Sequence, residues 1–429
     1  MEALIGLYFI GFLVLIFLGL PIAFSMGVFS IVTFATMGGN LRIIPQKMFA
    51  GIDVFTFLAI PFFILAGQIM NVGGINKKIV EFCDNLVGHI IGGLAHVNVL
   101  ASLLFAGLSG SASADAAGLG SVEIEIMKKA KYPENFSAAI TAASAIIGPI
   151  IPPRMSMIIY AVVAGNASVI SLFLGGVIPG ALVGVSLLVI SYYMAKKHNF
   201  PVKEERAPLE KLVKSLLKTG PALLMPLIII GGILSGVTTV TESAAVAVFY
   251  AIIISIYVYR SIGFKDLLPA FLEAAKMTST VMFIIAVAAS MGWIFTSLQI
   301  PQAIADIFLN YANSALLFIL ITNVLLLLIG TVLDLAPALL IAVPILAPTA
   351  AMFNIDPVHF GVMVVVNLCI GLITPPVGMV LFVTANVAKV KLSDMYKSIM
   401  PFLLVEIVVL LLIAYVPMIT TFLPRLFGM

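Results

Sequence analysis

Two short stretches of the chain decide the fold, GPIIPP at residues 148–153 and GLITPP at residues 371–376. Both fit the pattern G-x-I-x-P-P, and both lie inside long apolar segments. Two adjacent prolines remove two backbone donors and clash with the preceding helical turn, so a regular helix cannot pass through either stretch. The pattern therefore predicts two broken helices, one in each half of the chain.

The composition around these stretches is that of a membrane protein. Of the 429 residues, 62% are hydrophobic and 10% are charged, against about 45–50% and about 25% in soluble domains. This composition excludes soluble enzymes, nucleic-acid-binding proteins and disulfide scaffolds. Long apolar runs such as residues 315–332 do not alternate apolar and polar residues, as the strands of an outer-membrane barrel would. We therefore expect an all-α integral membrane protein that crosses the lipid bilayer many times.

A small polar turn precedes each predicted break, GLSGSASAD at residues 107–115 and GTVLD at residues 330–334. Basic clusters lie on both sides of the first turn, whereas no Lys or Arg lies between Lys276 and Lys389. Because positively charged loops stay in the cytoplasm, the two turns are expected to enter the membrane from opposite sides. The sequence therefore predicts an inverted repeat with two re-entrant helical hairpins and two broken helices, an arrangement typical of secondary transporters.

The positions of these elements suggest boundaries along the whole chain. Seven Lys or Arg residues between positions 196 and 218 mark a linker, for which we expect an amphipathic helix at the cytoplasmic surface. Gly176, Gly180 and Gly184 share one helix face and favour close packing. The predicted units are N-terminal scaffold helices (1–84), a first repeat (85–193, with a hairpin at 85–127 and a broken helix at 135–165), the basic linker (194–219), scaffold or arm helices (220–312), a second repeat (313–390, with a hairpin at 313–352 and a broken helix at 360–388) and a C-terminal transmembrane helix (391–429).

The breaks offer two kinds of binding group. Carbonyl oxygens without helical partners can replace the water shell of an alkali cation, and the half-helix after the prolines presents free N–H groups and a positive dipole end to an anion. Ionisable residues at membrane depth are costly and therefore candidates for function. Asp115 and Asp334 either supply charge to a site or only cap the helix that follows. Three roles are open for Arg154. It binds a carboxylate of the substrate through a bidentate pair of guanidinium hydrogen bonds, it pairs with Asp115, or it extends its charged end to a membrane interface.

Glu242, in Thr238-Thr239-Val240-Thr241-Glu242, is expected to have a structural role. Threonine and glutamate at this spacing are typical of a helix start, where their side chains bind the first free N–H groups.

At these motifs the chain resembles the large membrane subunit of the tripartite ATP-independent periplasmic (TRAP) transporters. The resemblance implies a sodium-coupled importer of an organic acid in the bacterial inner membrane, with Na⁺ as coupling ion and no organic cofactor. It also implies two partners, a periplasmic substrate-binding protein and a small four-helix membrane subunit, expected here as a separate chain. The family fold implies an elevator-type transporter. The matching motifs are GLSGSASADAAGLG (107–120), IGPIIPP (147–153), TESAAVAV (241–248), GTVLDLAPALLIAVPILAP (330–348) and GLITPPVG (371–378).

The resemblance also suggests where ligands bind. It implies that sodium ions are held mainly by carbonyl groups at the hairpin tips and at the breaks. Substrate would lie between the sodium sites. The implied sodium-binding residues are Ser109, Gly148, Ile151 and Pro152 for one ion, and Gly330, Asp334, Gly371, Thr374 and Met379 for the other; the implied substrate-binding residues are Ser111, Asp115, Arg154 and Ser156.

One departure bears on the substrate. Many family members have serine directly after the prolines of the first break, where this chain has Arg154, and an arginine there fits a strongly acidic substrate. Sialic acid and C4-dicarboxylates are the leading candidates. The stretch PPRMS at residues 152–156 is similar to the sialic acid branch of the family.

Two alternatives of other kinds remain open at this point. A transporter or channel of another inverted-repeat family would work without a binding protein, since broken-helix repeats recur across transporter folds. The stretch GLSG at residues 107–110 also matches the G-x-S-G of rhomboid intramembrane serine proteases. A serine nucleophile needs a base within hydrogen-bond reach, and the candidate bases His96 and His359 lie in no supporting motif.

Overall fold

A computed structural model describes residues 11, 12, 14–16, 18–106, 111–202, 206–311 and 314–429. Regular secondary structure in these ranges is helical, without a strand. The helices of the first half are α1 (Ile22–Thr36), α2 (Ile43–Ile52), α3 (Ala59–Val72), α4 (Ile75–Val87), α5 (Gly93–Phe105), α6 (Ala112–Lys129), α7 (Glu134–Ala145), α8 (Met155–Ala164) and α9 (Val169–Lys197). Those of the second half are α10 (Leu209–Leu234), α11 (Val240–Ile253), α12 (Phe264–Ser297), α13 (Ile300–Tyr311), α14 (Ala315–Val332), α15 (Leu335–Met352), α16 (Pro357–Gly371), α17 (Met379–Ala388), α18 (Leu392–Tyr415) and α19 (Met418–Leu426).

The helices satisfy the main constraint that lipid imposes on a chain. Every backbone polar group at membrane depth needs an internal partner, which a helix provides along its own length. Within the described ranges, eight segments are long and apolar enough to cross a membrane. Of the best window in α15, 72% of residues are buried inside the protein, against 28% in α10. The protein is therefore a multi-pass membrane protein in which α15 is central and α10 is peripheral.

Helix α11 begins with a capping box. The Thr239 hydroxyl accepts a hydrogen bond from the Glu242 N–H, and the Glu242 carboxylate accepts one from the Thr239 N–H at 2.7 Å. Because the two side chains satisfy two N–H groups that a helix start leaves free, the structural role predicted for Glu242 is confirmed.

The helices form two groups around the breaks. An outer group consists of α1, α2, α3, α11 and α12, in which α12 packs against α1, α2 and α3, and α11 packs against α3. An inner group contains both breaks, with α6, α7 and α8 from the first half and α15, α16 and α17 from the second. The groups meet where α12 packs against α15.

The inner group shows a reciprocal exchange between the halves of the chain. The half-helix after the first break, α8, packs against α15 of the second half, and the half-helix after the second break, α17, packs against α6 of the first half. The predicted inverted repeat would give rise to this reciprocity.

The linker is shorter than the predicted 194–219. Helix α9 continues to Lys197, and α10 begins at Leu209 and runs to Leu234 through Pro221. The helix continues because two tyrosines of the neighbouring segment satisfy the groups around that proline. Tyr250 donates to the Pro221 carbonyl at 2.7 Å, and the Ala222 N–H donates to the Tyr259 hydroxyl at 3.2 Å. Residues 209–219 of the predicted linker are therefore continuous with the apolar part of α10.

The first pair of helical arms also starts later than predicted. Residues 85–87 belong to the end of α4, and the two arms are α5 and α6. Gly92, with φ of 74°, precedes α5, and a left-handed backbone of this kind suits glycine best.

Candidate functional site

The first break separates α7 from α8 over residues 146–154, and its Pro152–Pro153 peptide bond is cis. Prolines leave carbonyl groups without helical donors, and side chains supply some of the missing donors. Ser156 Oγ donates to the Pro149 carbonyl at 2.8 Å, and Arg154 Nε donates to the Ile151 carbonyl at 3.2 Å. The prediction that GPIIPP interrupts a helix is therefore confirmed.

The second break separates α16 from α17 over residues 372–378, and its Pro375–Pro376 peptide bond is also cis. Thr374 Oγ1 donates to the Ile370 carbonyl at 2.8 Å. The Gly378 N–H donates to the Thr331 carbonyl at 3.0 Å. That last bond ties the break to the end of α14, so the polar turn and the second break form one local unit.

Close contact between glycines holds that unit together. A Cβ added to Gly371 would lie 2.6 Å from the Cα of Gly330, and one added to Gly330 would lie 3.0 Å from the Cα of Gly371. The two backbones approach within a distance that only glycine allows. Gly330 and Gly371, both predicted sodium-binding residues, therefore lie side by side.

Buried asparagines link each break to the helix before it. In the first half, Asn98 donates to Thr141 at 2.7 Å and accepts from Ser144 at 2.5 Å. In the second half, Asn367 donates to the Asn323 side-chain carbonyl at 2.7 Å. Ser144 and Asn367 each lie eight residues before the first residue of the Pro-Pro pair in their break. The two halves thus use side-chain hydrogen bonds at corresponding positions, which the sequence reasoning missed although polar residues in apolar helices signal them.

Charge is concentrated beside the first break. Arg154 and Asp115 are 1% and 6% exposed, and they interact electrostatically. A methyl group at Gly148 would overlap the Asp115 carboxylate and would lie 3.5 Å from Arg154 Nη2. A buried arginine needs such a partner, because an uncompensated charge at this depth is costly. The pairing of Arg154 with Asp115, one of the alternatives open from the sequence, therefore fits the structure.

Small residues of α9 pack against the same break. A side chain at Gly176 would overlap Met157, and one at Gly180 would overlap Ile151. At Gly184 the neighbour is Leu103 of α5, at 2.8 Å from an added Cβ. The close packing predicted for this glycine face is therefore confirmed.

A cavity of about 220 Å³ lies between the inner and outer groups. Three helix starts face it, those of α6, α8 and α15, so that three positive dipole ends point to one space. The opposite wall belongs to α3 and α12. The lining residues are Ile64, Ser111, Ala112, Met155, Ser156, Ile159, Met277, Thr280, Val281, Asp334, Leu335 and Ala336.

Three residues singled out from the sequence line this cavity. Ser111 and Asp334 are the N-cap residues of α6 and α15, and Ser156 lies in the first turn of α8. Asp334 also accepts a hydrogen bond from the Leu335 N–H at 2.9 Å. Asp334 therefore caps its helix and contributes a carboxylate to the cavity wall at the same time.

The other candidates lie elsewhere. In the described part of the chain, Arg154 and Asp115 are not among the lining residues. Asp115 instead faces a smaller polar cavity with Gln68 and Asn71. Gly148, Ile151 and Pro152 lie in the first break, Thr374 lies in the second, and Met379 begins α17. Ser109 lies outside the described residues.

The α3 and α12 wall was not anticipated. Thr280 and Met277 of α12 complete the cavity, and Met277 accepts a hydrogen bond from Gln68 of α3. The sequence offered little signal for them, since an apolar helix does not reveal which of its faces borders a cavity.

Comparison with known proteins agrees with this architecture. The family model of the DctM component of tripartite ATP-independent periplasmic transporters matches residues 9–419. The sialic acid TRAP transporter large permease protein SiaM of Vibrio cholerae is 43% identical over 419 residues, covering 97% of each chain. The C4-dicarboxylate TRAP transporter large permease protein DctM of Pseudomonas aeruginosa is 40% identical, covering 91% of each.

Among solved structures, the YdaH transporter of Alcanivorax borkumensis superposes with a TM-score of 0.62 at 14% identity, covering 86% of each chain. This likeness concerns the fold alone. The relatives are permease subunits, so the rhomboid-type protease alternative is set aside and the chain is not an enzyme. The chain belongs to the DctM family, the large membrane subunits of TRAP transporters.

Proposed function

We propose that this subunit imports an organic acid across the bacterial inner membrane, driven by sodium, by an elevator movement of the inner helices. The observation that carries the proposal is the cavity into which the starts of α6, α8 and α15 point. Helix starts offer free N–H groups and a positive dipole to a carboxylate. The Ser111 hydroxyl can donate to the acid at the start of α6. The Ser156 oxygen, whose hydrogen is donated to the Pro149 carbonyl, can accept from a hydroxyl group of the substrate.

Sodium coupling is proposed from the carboxylate in the same wall. Asp334 lines the cavity, so an acidic substrate meets a negative charge there. Sodium at the second break, held by carbonyl groups near Gly371 and Thr374 and by the end of α14 at Gly330, would offset that charge. Because substrate binds better once the cation is present, each ligand favours the other.

The elevator movement is proposed from the composition of the cavity walls. One wall consists of helix starts from the inner group, and the other consists of α3 and α12 of the outer group. The outer wall is mostly apolar and contributes Thr280 as a polar residue. Substrate would then travel with the inner group past a passive outer wall.

Partners and substrate follow from the family. A TRAP transporter has three components, so a periplasmic binding protein and a small membrane subunit are proposed as partners. The relatives are named for sialic acid and for C4-dicarboxylates. We place sialic acid first because of the greater identity to the sialic acid subunit, and C4-dicarboxylates second.

The test is uptake into proteoliposomes that contain this chain and the small subunit. Candidate binding proteins are loaded with sialic acid or with succinate, with and without an inward sodium gradient. We expect uptake only with a binding protein and only with sodium. Uptake in potassium alone contradicts the coupling, and uptake without any binding protein supports a transporter of another class.

The elevator movement is tested separately by cross-linking. In a background in which the buried free Cys83 and Cys369 are serine, a cysteine at Ala112 is paired with one at Val281, across the two walls. We expect the cross-link to stop uptake. The matched control pairs Gly27 of α1 with Val287 of α12, both in the outer group and outside the cavity lining, and should retain uptake. Full activity of the first cross-linked pair contradicts the movement.

A further inference from the structure

The two breaks differ in whether a side chain donates a hydrogen bond to the backbone carbonyl group directly before the two prolines. In the shared G-x-I-x-P-P pattern, Ile151 and Thr374 hold the same position. The Ile151 carbonyl accepts a hydrogen bond from Arg154 Nε at 3.2 Å. Among the described residues, no donor reaches the Thr374 carbonyl. The equivalent backbone oxygen therefore accepts a hydrogen bond from a cationic side chain in the first break and from none of the described residues in the second.

The Arg154 side chain is buried in the first break beside an acidic residue. Arg154 is 1% exposed, and the Asp115 carboxylate lies beside it across Gly148. The residue at the corresponding place in the second break is Val377, which is 44% exposed and carries no charge. The guanidinium thus occupies the space between a break carbonyl and an acidic side chain, where a metal cation would find its oxygen ligands.

Other carbonyl groups of the first break also have donors within the chain. Ser156 Oγ donates to the Pro149 carbonyl, and the N–H groups of Ile150 and Ile151 donate to the Ile147 carbonyl. The second break is similar in this respect, because the Val380 N–H donates to the Leu372 carbonyl and the Tyr396 hydroxyl donates to the Pro376 carbonyl. The difference between the breaks therefore lies at the carbonyl groups of Ile151 and Thr374.

We infer that Arg154 is a tethered cation that replaces an exchangeable sodium ion at the first break, so that sodium binds at the second break only. A sodium ion beside the guanidinium would meet a like charge in a region poorly screened by water, and its carbonyl ligand at Ile151 is already engaged. The inference rests on the proposed sodium coupling and sets its stoichiometry, with one cation fewer per cycle than two equivalent breaks would carry.

The test is equilibrium binding of ²²Na⁺ to the purified full chain with its small subunit, at constant ionic strength in potassium. We expect about one sodium ion per wild-type chain and about two for Arg154→Ser, in which the freed oxygens take a metal ion. Arg154→Lys retains a charge and should bind about one. Lys397→Ser removes an exposed positive charge and serves as the matched control, also expected to bind about one.

The number of sodium ions bound by the wild-type chain tests the inference even where a variant fails to fold. Two sodium ions per wild-type chain, or one in folded Arg154→Ser, overturns the inference while sodium-driven uptake can still stand. Zero ions together with sodium-independent uptake overturns the proposed function instead. A second readout is the unfolding temperature of Arg154→Ser, which should gain a sodium-specific increase, absent in potassium, beyond that of the wild type.

Discussion

The first and second breaks have similar backbones but different side-chain environments. Each interrupts a helix at Pro-Pro, and each is connected to a buried asparagine. The first contains a buried charge pair, Arg154 with Asp115. The second brings Gly330 and Gly371 into backbone contact. The comparison teaches that one repeated backbone pattern can be stabilised either by charge or by close packing. In the proposed mechanism, this difference leaves only the second break to an external cation.

The largest expected effect concerns the charge pair of the first break. Arg154→Met leaves the Asp115 carboxylate buried without its cation, and breaking a buried pair costs about 3–5 kcal/mol. The measurement is the free energy of unfolding from denaturant titration in mixed micelles. The exposed Lys397→Met is the control and should change it by less than about 0.5 kcal/mol.

A double variant sharpens this prediction. Arg154→Met with Asp115→Asn removes both charges, so its loss of stability should be smaller than the sum of the two single losses. Strictly additive losses would show that the two side chains do not stabilise one another.

The second expected effect concerns the glycine contact of the second break. Gly371→Ala places a methyl group against the Gly330 backbone, and overpacking of this kind costs about 1–3 kcal/mol. Uptake should fall with stability, because the contact joins the break to the end of α14. Gly231→Ala is the control, since nothing lies within 4 Å of an added Cβ there. Equal unfolding temperatures of the two variants would contradict the close approach.

The sequence predicted the features that depend on backbone chemistry. The two adjacent prolines in each half predicted the breaks, because two missing donors and two ring clashes in succession interrupt a helix. A single proline, such as Pro221 in α10, does not. The spacing of Thr239 and Glu242 fixed a helix start for the same local reason. Ser111 and Asp334 were candidates because they lie in polar turns within apolar segments, and the resemblance to the family added Ser156.

Features that depend on tertiary packing were not predictable in the same way. The sequence left substrate binding, pairing with Asp115 and snorkelling open for Arg154. In the structure its Nε donates to the Ile151 carbonyl, a contact that no local pattern encodes. Thr280 and Met277 line the cavity because of how α12 is rotated. The extension of α10 through Pro221 depends on two tyrosines far along the chain.

The asparagine contacts provide a third, smaller effect. Asn98→Leu and Asn367→Leu each remove hydrogen bonds between buried helices, for which about 1–2 kcal/mol is expected. If the two breaks belong to equivalent repeats, the two losses of unfolding free energy should agree within about 0.5 kcal/mol. A loss confined to one variant would show that the repeats are stabilised differently before the breaks as well as within them.

The smallest expected effect separates the two breaks by function. Ser156 and Thr374 each donate a hydroxyl hydrogen bond of 2.8 Å to a carbonyl of their own break region, so Ser156→Ala and Thr374→Val should lower stability alike, by about 0.5–1.5 kcal/mol. Ser156 lines the cavity and Thr374 does not. Ser156→Ala should therefore raise the KM for the organic acid by about two- to tenfold with sodium dependence unchanged, whereas Thr374→Val should raise the half-saturating sodium concentration by a similar factor. Uptake titrations of substrate at saturating sodium, and of sodium at saturating substrate, distinguish the two. A raised KM in Thr374→Val together with a raised half-saturating sodium concentration in Ser156→Ala would reverse the roles assigned to the two breaks. The hydroxyl that touches substrate would then belong to the second break.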